Sequence, residues 1–79
     1  MNTMEERMEA ALLKQIKVEL VERGMQQKDL AAKMDMDRAT LSRYLTGKTQ
    51  IPMSVFYRLA EGLGISPADL MVRTARRAQ

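Results

Sequence analysis

Residues 27–46, QKDLAAKMDMDRATLSRYLT, decide the fold of this chain. Read as two short helices joined by a tight turn, the stretch repeats its apolar side chains about one helical turn apart, which gives each helix one apolar face. Ala31 is small where the two helices would cross, and Asp37 suits the N-cap of the second helix. We therefore predict two amphipathic helices packed on a common core. The apolar positions are Leu30, Met34, Leu41, Tyr44 and Leu45.

The outward face of the second helix is polar and partly basic. Arginine and serine side chains can hydrogen-bond the edges of DNA bases, and a methyl group can pack on a thymine methyl. This pattern resembles the helix-turn-helix of the lambda-repressor/Cro-like (XRE) family, and the resemblance extends from about Leu12 to Leu70. It implies an all-α fold, a compact five-helix domain that binds double-stranded DNA. The outward residues are Arg38, Ala39, Ser42 and Arg43.

The resemblance implies that the second helix, residues 38–45, contacts bases. Arg38 and Ala39 occupy the positions that meet base edges in similar proteins, and an arginine can donate two hydrogen bonds to guanine. Ser42 and Arg43 lie one turn further along the same face. Because arginine serves both uses, Arg43 is assigned to either a base or a phosphate.

The same resemblance implies phosphate contacts around that helix. Gln27 opens the first helix, where unpaired backbone N–H groups favour an anion; the alternative is an ordinary polar residue at a helix start. Thr40 contacts a phosphate or caps the second helix. Thr46 and Lys48 flank Gly47 in the loop that follows, where similar proteins hold the DNA backbone.

The composition favours a binding protein over an enzyme. The 79 residues are enough for one domain, and their net charge is +3. The sequence has no cysteine and no histidine, so we expect no disulfide, no metal site, no catalytic residue and no cofactor. No small-molecule ligand is expected either. The apolar runs are too short to cross a membrane and the first residues do not resemble a signal peptide, which predicts a cytoplasmic protein. The resemblance implies that the cell is bacterial or phage-infected.

Charge is distributed unevenly along the chain. Residues 1–22 carry five glutamates against three basic residues, whereas residues 27–50 carry five basic residues against three aspartates. Residues 73–79 add three arginines and are expected to form a basic tail. We expect the central segment to face phosphates and the acidic first helix to point away from them.

Helix 1 is expected to be longer than the corresponding family helix. It begins at Thr3, whose spacing from Glu6 fits a capping box, and ends at Gly24. Residues 1–11 would then be an N-terminal helical extension. The core face of this helix is formed by Met8, Leu12, Leu13, Ile16 and Leu20.

A second apolar stripe on helix 1 leaves two explanations open. Met4, Ala11 and Val18 repeat every seven residues beside the core face. They pack either under helix 5 of the same chain or against a partner helix. Since one helix-turn-helix makes few base contacts, we expect a homodimer on DNA, held by the N-terminal extension, with helix 5 as the rival interface.

Two further helices follow the motif. Helix 4 is predicted at about residues 53–63. Helix 5 begins at Ser66, with Asp69 completing a capping box, and frays over residues 75–79.

Asp35 replaces the glycine usual in the turn of similar proteins, and aspartate tolerates the positive φ expected there. Side chains expected in the core include Tyr44, Met34, Met36, Met53 and Met71.

Together these inferences predict a sequence-specific, double-stranded-DNA-binding transcriptional regulator of the phage repressor or Cro-like type. The alternatives are an antitoxin that represses its own operon, a phage excision-type accessory protein, and a protein-interaction module that retains the fold.

Overall fold

Five α-helices lie within residues 2–79, the part of the chain that the computed structural model describes. These residues contain no strand, and none of their helices has the length and apolar character needed to pass through a bilayer. The all-α, five-helix prediction is confirmed. The helices are α1 (Met4–Glu22), α2 (Gln27–Lys33), α3 (Arg38–Leu45), α4 (Met53–Leu63) and α5 (Pro67–Ala78).

Side-chain caps begin α1 and α3 as the sequence predicts. The Thr3 hydroxyl accepts from the Glu6 N–H at 3.1 Å, and the Glu6 carboxylate accepts from the Thr3 N–H at 2.9 Å. Asp37 accepts from the Thr40 N–H at 3.3 Å. Each bond satisfies a first-turn donor that would otherwise lack an intrahelical partner, so both helices begin at defined residues.

The last helix differs from the prediction at both ends. The Ser66 hydroxyl accepts from the Asp69 N–H at 3.0 Å, but no return bond from the Asp69 side chain forms within residues 2–79, so the predicted capping box is half formed. The helix continues to Ala78. The prediction that residues 75–79 fray is therefore wrong, and residues 73–79 are helical nearly to their end. Arginines in this segment bond to α1, which holds the last turns in place.

The turn between α2 and α3 contains the left-handed residue that the sequence predicts. Asp35 has φ 50°, the one positive φ among the described residues other than glycine. The Asp35 N–H donates to Ala32 O at 3.1 Å and the Met36 N–H donates to Ala31 O at 2.9 Å. These two bonds satisfy carbonyls at the end of α2 and direct the chain into α3.

Close contact between α2 and α4 fixes the position of the motif on the rest of the domain. A Cβ on Gly62 would lie 2.8 Å from Leu30 Cδ1 and 3.3 Å from Met34 Cγ, so α4 approaches α2 more closely than a side chain would allow. Ala31 is buried, as its small size at a crossing predicts. The residues buried at this centre are Leu30, Ala31, Met34, Leu41, Leu45, Leu59 and Leu63.

The predicted core is only partly correct. Met34 is buried, and Met36 and Tyr44 are half-buried against the core. Met53 and Met71 are exposed by 52% and 36%, contrary to prediction. Met53 is the first residue of α4, and Met71 follows the buried Leu70, so it points about 100° away around the helix. Both methionines therefore lie on outer faces.

The second stripe of α1 does not form one continuous exposed face. Ala11 is buried, Val18 is half-buried and Met4 is 71% exposed. Ala11 borders a surface cleft that Arg77 and Ala78 of α5 also line. Of the two explanations, packing against α5 of the same chain accounts for Ala11, the middle residue of the stripe.

A buried carboxylate joins α1 to α5. Glu19 is fully buried, and its oxygens accept from Arg73 Nη1 at 3.0 and 3.1 Å and from Gln15 Nε2 at 2.6 Å. Arg23 also pairs with it, and Arg23 Nε donates to Leu63 O at the end of α4, at 2.6 Å. Gln15 in turn accepts from Arg77 Nε at 2.9 Å. This group of five side chains connects α1, α4 and α5.

The environment of Glu19 favours its ionised form. Burial by itself raises the pKa of a carboxyl group, but hydrogen bonds from Gln15, Arg73 and Arg23 outweigh burial and hold the pKa of Glu19 below its usual value. The ionised carboxylate therefore stabilises the folded state at neutral pH.

We expect Glu19→Gln to destabilise the fold by about 1.5–3 kcal/mol at pH 7, because it removes hydrogen bonds to a charged acceptor. The folded pKa of Glu19 lies below the unfolded value of about 4.3, so its stabilisation is complete above that value and is lost as the pH falls towards the folded pKa. Urea unfolding of both proteins at pH 7 and pH 3 should show the difference narrowing in acid. The exposed Glu22→Gln is the control, and an equal difference at both pH values would contradict this role.

Candidate nucleic-acid interface

One side of α3 is buried and the other faces solvent. Leu41 and Leu45 are 0% and 1% exposed, which fixes the rotation of the helix about its own axis. Arg38, Ala39 and Arg43 are then exposed, as predicted, whereas Ser42 is half-buried. The structure thus brings all four predicted base-contacting residues to one helix and leaves Ser42 the least accessible of them.

The arginines of this face are not used by the fold. Within residues 2–79 the only ion pairs are those of Glu19 with Arg23 and Arg73. The side chains of Arg38 and Arg43 form no hydrogen bond among these residues. Their guanidinium groups can therefore hydrogen-bond an external acceptor without breaking an internal contact.

The predicted phosphate-contacting residues differ in how readily their side chains could donate a hydrogen bond to a phosphate. Gln27, the first residue of α2, is exposed. Lys48 is exposed in the loop after α3. Thr40 is half-buried and does not cap α3: the cap is Asp37, whose carboxylate accepts from the Thr40 N–H. Gln27 and Lys48 are thus the more available donors.

Thr46 uses its hydroxyl proton inside the protein. Its Oγ1 donates to Ser42 O at 2.8 Å, one turn back in α3. A hydroxyl has a single proton to donate, so a phosphate oxygen could accept from Thr46 only after the side chain turns away from Ser42. Threonine often bonds back to the carbonyl four residues earlier in a helix, so the residue type allows this bond, but only the coordinates show that it forms.

The arginines near the C-terminus do not form one free basic patch. Arg73 and Arg77 bond to Glu19 and Gln15 of α1, and only Arg76 is left exposed without a hydrogen bond among the described residues. The sequence carries a signal for this arrangement. Glu19 lies three residues after Ile16 and one before Leu20, on the apolar side of α1, where an isolated carboxylate would need a cation.

The loop after α3 contacts α1, and sequence analysis did not predict this contact. Gln50 Nε2 donates to Glu9 Oε1 at 2.6 Å and to Glu5 Oε2 at 3.3 Å. The two glutamates are one turn apart on α1, which is the only hint in the sequence that both could reach one partner. The contact places the acidic extension beside the loop that carries Lys48, so the expectation that the acidic first helix points away from the central basic segment does not hold for Glu5 and Glu9.

Acidic side chains outside α3 are candidates for a site of another kind. Residues 2–79 contain no group of acidic side chains arranged to hold a metal ion. The titratable group that the fold buries most completely, Glu19, is enclosed by its arginines and does not line an open cleft. The exposed face of α3, where Arg38 and Arg43 form no ion pair among residues 2–79, and its flanking loops are the candidate interface.

Comparisons with known proteins agree with this geometry. A family model described as helix-turn-helix matches residues 16–70. The crystal structure of the clp gene regulator ClgR from C. glutamicum superposes with a TM-score of 0.77 at 20% sequence identity, covering 87% of this chain and 90% of that one. No curated protein matches the sequence.

Proposed function

The chain belongs to the helix-turn-helix family, of the XRE type, and from this premise we propose that it is a sequence-specific, double-stranded-DNA-binding transcriptional regulator of the repressor or Cro-like type. It would act in the cytoplasm, on bacterial or phage DNA. The structurally similar ClgR is itself described as a gene regulator, which supports this class of function.

The exposed, unpaired arginines of α3 carry the proposal. A helix of this width fits the major groove of B-DNA, where each base pair presents a distinct pattern of donors and acceptors. Arg38 at the start of α3 and Arg43 one turn later would read base edges, with Ala39 and Ser42 between them. Because Arg43 lies nearer the C-terminal end, a phosphate remains its alternative partner.

Contacts on either side of α3 would hold the helix in the groove. Gln27 at the start of α2 and Lys48 after α3 are the proposed phosphate-contacting side chains, because both are exposed. Thr40 would assist from its capped N-terminal turn, and Thr46 after rotation of its hydroxyl. Such contacts position the protein without reading sequence.

We propose that the protein binds DNA as a homodimer formed through α5. The outer face of this helix is an apolar stripe of alanine, methionine and valine at helical spacing, with Val72 exposed by 47% and Met71 by 36%. Asp69 and Arg76 lie on one flank of the stripe. The stripe consists of Ala68, Met71, Val72 and Ala75.

A second copy of this chain fits the stripe because the charges that flank the stripe are self-complementary. If two α5 helices cross antiparallel with the two-fold axis near Val72, Asp69 of each copy faces Arg76 of the other. An isologous interface needs such reciprocal pairing. The extension is the weaker candidate because Ala11, at the centre of its stripe, is already buried.

The first test concerns base reading. Arg38→Ala should weaken binding to the preferred duplex by ~1–3 kcal/mol and relax preference mainly at one base position, because bidentate contacts to guanine are lost. Selection from a random-sequence pool followed by titration measures both effects, with Lys28→Ala as the exposed basic control. An Arg38→Ala protein with wild-type affinity and preference would show that Arg38 reads no base.

The second test concerns the phosphate contact of Lys48. Lys48→Ala should weaken binding to all duplexes alike and reduce the slope of log K against log salt concentration by about one unit, because one fewer phosphate is neutralised. Titrations at several salt concentrations determine the slope. If the slope equals that of the wild type, Lys48 does not contact DNA.

The third test concerns assembly. Val72→Glu would place a carboxylate in the α5 stripe of each copy and should convert the dimer to a monomer, which weakens binding to a two-half-site duplex more than it weakens binding to a single half-site. Val18→Glu is the matched control on α1 and should leave the dimer intact. Sedimentation of both variants decides between the two faces: a dimer that survives Val72→Glu but dissociates with Val18→Glu would assign the interface to α1.

A further inference from the structure

The loop between α3 and α4 is attached to the protein at two points. On the α3 side, the backbone N–H groups of Lys48 and Thr49 donate to Arg43 O at 3.0 and 3.2 Å. On the other side, Gln50 Nε2 donates to Glu9 at 2.6 Å and to Glu5 at 3.3 Å. Lys48 therefore lies in a short segment with an anchor before it and an anchor after it.

Apolar contacts support the second anchor. A Cβ on Gly47 would lie 3.5 Å from Leu13 Cδ1, so the loop backbone is in contact range of α1. Ile51 and Tyr44 are half-buried and, with Leu12, line a small cavity at this junction. The loop thus lies on α1 at Leu12 and Leu13, directly after the extension that carries Glu5 and Glu9.

We propose that Gln50 is a positioning residue for DNA binding: by joining the loop to Glu5 and Glu9 it holds the Lys48 backbone in its DNA-competent place. This inference rests on the proposed function. A loop that is already ordered loses less conformational freedom when its lysine engages a phosphate, and pre-organisation of this kind strengthens binding. The extension then contributes to affinity without touching DNA.

The two glutamates also have an opposite effect on DNA binding. Each brings a negative charge close to the phosphate-facing loop, and removing such a charge strengthens binding to any sequence by itself. A glutamate variant alone therefore combines loss of the anchor with loss of repulsion. A double-mutant cycle separates the two, because the charge effect is the same whether or not Gln50 is present.

The experiment compares four proteins: wild type, Gln50→Ala, Glu5→Ala/Glu9→Ala, and the triple variant. Dissociation constants are measured by fluorescence anisotropy at fixed salt, on a duplex selected by the wild type from a random pool and on an unrelated duplex of equal length. In the wild-type background Gln50→Ala should weaken binding to both duplexes about 3- to 10-fold. In the background lacking both glutamates it should have no effect.

A matched cycle with Glu22→Ala serves as control. Glu22 is an exposed glutamate of the same helix without a hydrogen bond to Gln50, so its effect and that of Gln50→Ala should multiply independently. All substituted side chains are exposed, and thermal melting checks that the variants fold. The side-chain amide resonances of Gln50 in the free protein should shift when Glu5 and Glu9 are replaced.

The outcomes separate this inference from the proposed function. If the wild type selects no duplex and binds none, the proposed function is wrong. The inferred role of Gln50 in DNA binding is then wrong as well. If the wild type binds DNA but Gln50→Ala has the same effect in both backgrounds, or no effect in either, the function stands and the inference is overturned. Unshifted Gln50 amide resonances would likewise overturn it.

Discussion

The carboxylate of Glu19 is the interaction on which the arrangement of the helices depends. It is completely buried, and a buried charge without partners would strongly destabilise the fold. Arg73 from α5 and Arg23 from the end of α1 must therefore remain beside it, and Arg23 at the same time satisfies a carbonyl at the end of α4. A change in the position of any of these helices would leave the carboxylate partly unpaired. The ion pairs of Glu19 therefore help to specify how these helices pack, in addition to the shapes of the apolar side chains.

Basic residues in this protein fall into two groups according to whether they have an internal partner. Arg23, Arg73, Arg77 and Arg58 donate to internal acceptors, Arg58 to the carbonyl of Met34 at the end of α2. Those of α3 and its following loop have no internal partner among the described residues. Net charge alone does not reveal this division, because it counts both groups equally. The second group could bond an acceptor outside the protein without breaking an internal contact.

Local rules of the chain were sufficient to predict most of the fold. Caps depend on neighbours a few positions apart, so the starts of α1 and α3 could be predicted from sequence, whereas the positive φ of Asp35 was implied by the resemblance. Contacts between distant residues could not be predicted. The order in the last turns of α5 depends on side chains more than fifty positions away in α1, and the anchoring of Gln50 depends on glutamates more than forty positions away. The resemblance located the candidate base-reading face, whereas the internal hydrogen bond of Thr46 required coordinates.

A contact between helices that is formed by ion pairs responds to heat differently from a contact formed by leucine side chains. The free energy required to remove ions from water falls as temperature rises, while apolar burial gains little further. The contact between α1 and α5 through Glu19 should therefore retain its strength on warming better than the apolar contact between α2 and α4 around Gly62. On heating, local unfolding would then begin in the half of the domain that contains α2 and α4. The helix α5, which is proposed to form the dimer, would be among the last to unfold.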